Sequence, residues 1–332
     1  MTNVFVGFLA MLAILGVIMC LFFNNKIPNI DFFSRHHTDV IKGIAIIMIV
    51  VAHIGNFSGV RYFTPLGGIG VALFLICSGF GLYKSYGKNG LDGFFKKRLS
   101  KILIPYWFAV VFYYMISPSE FSVFNFIKNV LLINVNSYWW FIQFILILYI
   151  VFYLVFRFVP DNMRMVTLWI LSFIFFLSVR QYLWSEQAFS FAIGVSLAKY
   201  NKGLTFHKAW AIGGTAIIIG MLSLLAKQIP MIRESNYLIF NTNQVILCIG
   251  IAVAIIYLAY PTLRFIRIFS IAGLASYEIY LVHTLFIFII VKGFTLTNII
   301  EYIVVCTLVV LVFYYTSKVL SKSKGKLLLD SH

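Results

Sequence analysis

Long apolar stretches, each close to the thickness of a lipid bilayer and recurring along the whole chain, constrain this sequence more than any single motif. A helix needs about 20 consecutive apolar residues to cross the hydrocarbon core. Candidate spans fall at 4–23, 40–57, 66–83, 103–117, 139–159, 164–180, 187–199, 209–226, 243–260, 271–291 and 298–317, of which 187–199 is the shortest. Inside a bilayer the backbone must satisfy its own hydrogen bonds, which leaves helices or closed barrels. Uninterrupted apolar runs, rather than alternating ones, select helices. The expected fold class is therefore an all-α, polytopic integral membrane helical bundle of about 11 transmembrane helices. With 62% hydrophobic and 11% charged residues, a soluble globule of 332 residues could not hide its apolar surface.

Charge placement tests that reading. If alternate connectors face the cytoplasm, starting with 24–39, that side carries nineteen of the 26 Lys and Arg residues. The opposite side carries Arg61, Lys128, Arg180, Lys227, Arg233 and Lys292, and Lys42 lies just inside a span. This positive-inside bias places the N-terminus outside and the C-terminus in the cytoplasm of a multi-pass plasma-membrane protein. The net charge of +16 is accounted for by these connectors. No basic face is interleaved with stacking or groove-reading residues, so nucleic acid is not an expected partner. The opening stretch 1–25 lacks the preceding cation and the cleavage site of a secretory signal and is read as a retained helix. A membrane domain over 38–320 follows, then a basic cytoplasmic tail at 321–332 suited to contact with membrane lipid.

Ionisable groups inside spans cost several kcal/mol by insertion scales and are functional suspects. Here they are Asp39, Lys42, His53, Glu278, His283 and Glu301. Lys42 and His53 are eleven residues apart, about 20° beyond three full helical turns, so they share a face about 16 Å apart along the axis. A cation at one end and a neutral base at the other suit a substrate entering headgroup-first; a snorkelling lysine and a histidine bonded to a neighbouring helix give the same spacing. Ser276, Tyr280 and His283 form one polar stripe on the 271–291 helix, which serves either a substrate or interhelical hydrogen bonding. Lys96, Lys97, Arg98 and Lys101 precede a span as a cluster fit for phosphates or anionic lipid headgroups, or for topology alone. His36 and His37 are placed in a connector. Cys20, Cys77, Cys248 and Cys306 sit in apolar runs without a metal-ligand pattern, so no metal is expected.

Taken in order, these segments resemble the acyltransferase-3 superfamily. Its N-terminal Arg-x10-His motif is matched by Lys42-x10-His53, and DVIKGIAIIMIVVAH is similar to the fucose 4-O-acetylase-like branch, where Lys takes the Arg place. The Gly-rich GGIGVALFLICSGFGLY ends in Ser78-Gly79-Phe80, as in the family. KRLSKILIPYW resembles its basic run before Pro-x-Trp, with Lys101 where a second Arg is usual. SYWWFIQFILILY resembles its Trp-Phe-rich helix, and GLASYEIYLVH its closing Ser-Tyr-x-x-Tyr-Leu-x-His segment. The similarity runs over 38–315, and helix 4–23 is extra to the usual ten.

The resemblance implies an O-acetyltransferase that takes an acetyl (or other short acyl) group from cytoplasmic acetyl-CoA. The acceptor would be a hydroxyl of a cell-surface or capsular polysaccharide, or of its lipid-linked precursor. His53 would be catalytic, as general base or as transient acyl carrier. Lys42, Arg98, Lys101, Ser78, Tyr280 and His283 would bind donor or substrate, with no permanently bound cofactor. Lysine at 42 and 101 lacks the planar fork of arginine and holds phosphate as a point charge. Polysaccharide-assembly proteins are the partners such an enzyme would meet. A glycan or lipid transporter or flippase is the rival class and would be supported by inverted repeats with broken helices; the sequence displays no such repeat. A non-catalytic scaffold is a third, and it predicts tolerance of His53→Ala.

Overall fold

The computed structural model describes residues 31–133, 135, 139–200, 204–263, 266–291 and 295–327. The expected helix at 4–23, Lys202, Arg264 and the end of the tail lie outside them. The described residues are mainly helical, with no strand: α1 (Arg35–Phe57), α2 (Thr64–Asn89), α3 (Phe94–Ile116), α4 (Val123–Val130), α5 (Trp140–Phe158), α6 (Arg164–Ser178), α7 (Ser190–Tyr200), α8 (Phe206–Ala226), α9 (Tyr237–Thr262), α10 (Phe269–Leu274), α11 (Ser276–Val282), α12 (Phe288–Val291) and α13 (Leu296–Leu327). Single helical turns at Tyr182–Ser185 and Pro230–Arg233 and 3-10 turns at Arg61–Phe63 and Pro118–Glu120 complete the set. Seven of the helices are long and apolar enough to cross a membrane, and α6 is a shorter apolar helix. On α13, Ile303, Leu308 and Val312 are 54%, 59% and 65% exposed, an apolar surface suited to lipid.

The chain divides into two compact units, one of residues 1–84 with 169–274, the other of 85–168 with 275–332. In the first, helices approach at backbone contact through glycine. A Cβ on Gly43 of α1 would lie 1.8 Å from the Phe269 carbonyl oxygen, and one on Gly273 of α10 would lie 1.7 Å from that of Asp39. Gly79 of α2 and Gly194 of α7 meet the carbonyls of Phe191 and Ile76 in the same way, at 2.3 and 2.1 Å. Lipid tails are as apolar as leucine, so such close packing takes over the role that the hydrophobic effect plays in water. α8 packs along α9, where Gly220 and Gly250 face each other. Ile41, Leu73, Ile76 and Ile256 fill the core between α1, α2 and α9.

His37 is not in a connector. α1 begins at Arg35, and His37 lies fully buried in its first turn among Phe32, Phe33 and Tyr260. Its Nδ1 accepts from the Phe33 N–H at 3.0 Å, and its own N–H donates to the N-capping Ser34 Oγ. It therefore helps to cap the helix start, where backbone N–H groups have no intrahelical partner.

In the second unit, amphipathic α4 is fastened to α3. Tyr106 Oη donates to the Asn129 carbonyl at 2.9 Å and Trp107 Nε1 to that of Val130 at 3.1 Å. The single helix expected at 271–291 is broken: α11 stops at Val282, turns occupy 283–287, and α12 resumes at Phe288. Carbonyls beside the break are met by side chains, Leu281 by Trp139 Nε1 at 3.2 Å and His283 by Tyr302 Oη at 2.8 Å. Side-chain donors of this kind are what make a broken helix tolerable at membrane depth. Arg164 fastens the start of α6, donating to the Val159 carbonyl, Tyr86 Oη and Asp161.

Candidate functional site

α1 is continuous from Arg35 to Phe57, which keeps Lys42 and His53 on one face and about 16 Å apart along its axis. Lys42 Nζ stands 3.8 Å from Asp39 Oδ1 one turn earlier, with side-chain exposures of 36% and 15%. The ammonium thus remains accessible while the carboxylate holds it near the Arg35 end. His53 is half-buried near the other end, and Ser78 is half-buried in the middle of α2. These three belong to the first unit.

Arg98, Lys101, Tyr280 and His283 belong to the second. Arg98 is half-buried and Lys101 exposed in the opening turns of α3. That helix starts at Gly93 with no side-chain cap and no acidic residue in its first turn. Cations at a helix N-terminus oppose its dipole, so an end carrying Lys96, Lys97, Arg98 and uncapped N–H groups favours an anion. Left-handed backbone at Gly90 and Gly93, with φ of 57° and 60°, turns the chain from α2 into α3 within four residues. Tyr280 and His283 are buried with ring centroids 6.0 Å apart. His283 Nδ1 lies 2.8 Å from the Tyr280 carbonyl and 3.1 Å from that of Ile279, so this nitrogen carries the proton and binds back onto α11. Tyr277 Oη donates to the Ile102 carbonyl at 2.8 Å, close to Pro105.

One cluster lies apart from the residues that the sequence singles out. In the turn before α7, outside the long apolar spans, Ser185, Glu186 and Gln187 are all buried. Gln187 Nε2 donates to the Gly68 carbonyl at 3.0 Å, and Ser190 Oγ to Gln187 Oε1 at 3.1 Å. Ser185 Oγ lies 2.6 Å from Tyr237 Oη and also accepts from Asn241 Nδ2. On α9, Tyr237, Asn241, Gln244 and Cys248 recur at helical spacing, a stripe that could have been found from sequence. Burial pushes the Glu186 carboxyl from an ordinary 4.5 up to about 7, with Gln187 and the charge of Lys227 pulling back. Lys227, just past α8, is itself lowered by burial, partly offset by Glu186.

The long apolar helices make the chain an integral membrane protein, and one of its spans carries both a lysine and a histidine. The acyltransferase-3 family, described as an acyltransferase domain, matches residues 35–318. The chain belongs to that family and is a membrane acyltransferase. No curated protein and no solved structure matches it.

Proposed function

We propose that the chain O-acetylates a glycan, moving the acetyl group of cytoplasmic acetyl-CoA to a hydroxyl of a surface polysaccharide or its lipid-linked precursor. The observation that carries this reading is the single unbroken helix α1, which bears an accessible cation two turns from its start and an imidazole four residues from its end. Lys42 would receive a phosphate of the donor from the cytoplasmic side. The pantetheine arm is long enough to carry the thioester along α1 toward His53.

There the imidazole would accept the proton of the acceptor hydroxyl as its oxygen attacks the thioester carbonyl. The carbon–sulfur bond breaks, and the leaving CoA thiolate takes the proton back from the imidazolium. The acetyl group leaves as an ester, and the base is regenerated. The test is NMR of surface polysaccharide from cells with and without the gene, and from a His53→Ala strain. O-acetyl signals should be lost in the deletion and in the variant at normal protein level; signals at wild-type intensity in the His53→Ala strain would overturn the role of His53.

A further inference from the structure

Glu186 and its neighbours do nothing in the transfer chemistry assigned to His53, yet they are costly to bury. A carboxylate withdrawn from water must be repaid by hydrogen bonds or an ion pair. Among the described residues its hydrogen bond from Gln187 is long, at 3.4 Å, and no ion pair reaches it. On the facing stripe of α9, two buried atoms have no hydrogen-bond partner among the described residues: Asn241 Oδ1, on a residue with no exposure, and Gln244 Oε1, one turn along. Turning the Asn241 amide over would only exchange which of its atoms is unpaired. Buried polar atoms in native proteins are nearly always hydrogen-bonded, so these acceptors call for donors.

The cluster also adjoins the His53 end of α1. A Cβ on Gly67 would lie 3.3 Å from that of Ala52, and one on Gly68 would lie 3.0 Å from Glu186 Oε1. α2 therefore touches the residue before His53 with one glycine and Glu186 with the next. A carboxylate accepts only, and the amide oxygens of Asn241 and Gln244 accept as well, whereas the Tyr237 hydroxyl already donates to the Val179 carbonyl. That set matches neighbouring sugar hydroxyls. The carboxylate disfavours an anionic ligand, and Lys227, whose charge acts on Glu186, disfavours a second cation.

We propose that Glu186, Asn241 and Gln244 form the acceptor subsite, binding a neutral, hydroxyl-rich glycosyl unit beside the His53 end of α1. The assignment rests on the glycan O-acetylation reading and adds to it the residues and the charge class of the acceptor. The experiment uses the full chain in membrane vesicles, radiolabelled acetyl-CoA, and surface polysaccharide of the producing cell stripped of ester by mild base. Glu186→Gln, which keeps shape and removes charge, should raise the acceptor KM roughly tenfold or more, and Gln244→Ala should raise it several-fold. Both should leave the KM for acetyl-CoA unchanged. Ser223→Ala, which removes the hydroxyl bonded to Asn243 elsewhere between α8 and α9, should change neither constant.

Wild-type acceptor KM in Glu186→Gln and Gln244→Ala overturns the subsite, as does an equal rise in both KM values, the mark of a merely structural role. If Glu186→Gln fails to accumulate in the membrane, Gln244→Ala decides alone. No transfer by the wild-type chain would sink the parent reading, and the subsite with it.

Discussion

Replacing Glu186 by glutamine should stabilise the protein, and by an amount that depends on pH. The buried carboxyl titrates at about 7 rather than its ordinary 4.5. A group raised in this way contributes nothing adverse below the lower value, and the folded state loses stability as pH rises through the higher one. Each pH unit between the two values costs 1.36 kcal/mol, so by pH 8 the wild-type carboxylate costs about 3 kcal/mol that an amide does not. The assay is denaturant unfolding in nanodiscs, followed by tryptophan fluorescence from pH 4.5 to 8.5. The two proteins should be nearly equal at the acid end, with the variant pulling ahead between pH 5 and 7 and then holding its lead. A gap independent of pH, or a variant less stable at pH 8, would refute the burial argument. A stabilised variant that binds acceptor more weakly is the usual trade at a functional site.

Three further outcomes follow from the packing. Gly273→Ala puts a methyl group where the Asp39 carbonyl oxygen already stands, 1.7 Å from the ideal Cβ, so α10 must leave α1. The expected loss is about 3 kcal/mol, with reduced accumulation in the membrane. Arg164→Met removes donors from the Val159 carbonyl, Tyr86 and Asp161 and should cost about 2 kcal/mol in the same unfolding assay. Arg164→Lys should not restore it, because a point charge cannot meet three partners set by a planar fork. Tyr302→Phe removes the hydroxyl that satisfies the His283 carbonyl beside the helix break and should cost about 1 kcal/mol.

Fold class was legible because apolar length is a direct physical requirement of the bilayer; that Lys42 and His53 lie on one helix was legible because helical geometry is regular. The break at 283–287 was not. Its residues, His-Thr-Leu-Phe-Ile, include neither glycine nor proline. The interruption is made possible by donors that come from Trp139 and Tyr302, far away in the chain. His37 was misplaced for a similar reason, since its burial depends on Tyr260 and on the turn at Phe33. Glu186 escaped notice because it stands one residue before an apolar run, where a carboxylate looks like a solvated flank. Only the folded arrangement of α2 and α9 around it shows that water is excluded. The basic cluster was visible, but the start of α3 without a side-chain cap was not.

The central claim, that one helix carries donor capture at Lys42 and hydroxyl activation at His53, is tested most directly in proteoliposomes of the purified chain. Radiolabelled acetyl-CoA is supplied with de-esterified polysaccharide, and label in the glycan is counted. The account expects transfer by the wild-type chain, a raised KM for acetyl-CoA in Lys42→Ala, and no transfer by His53→Ala at equal protein. Wild-type rates from His53→Ala would contradict it.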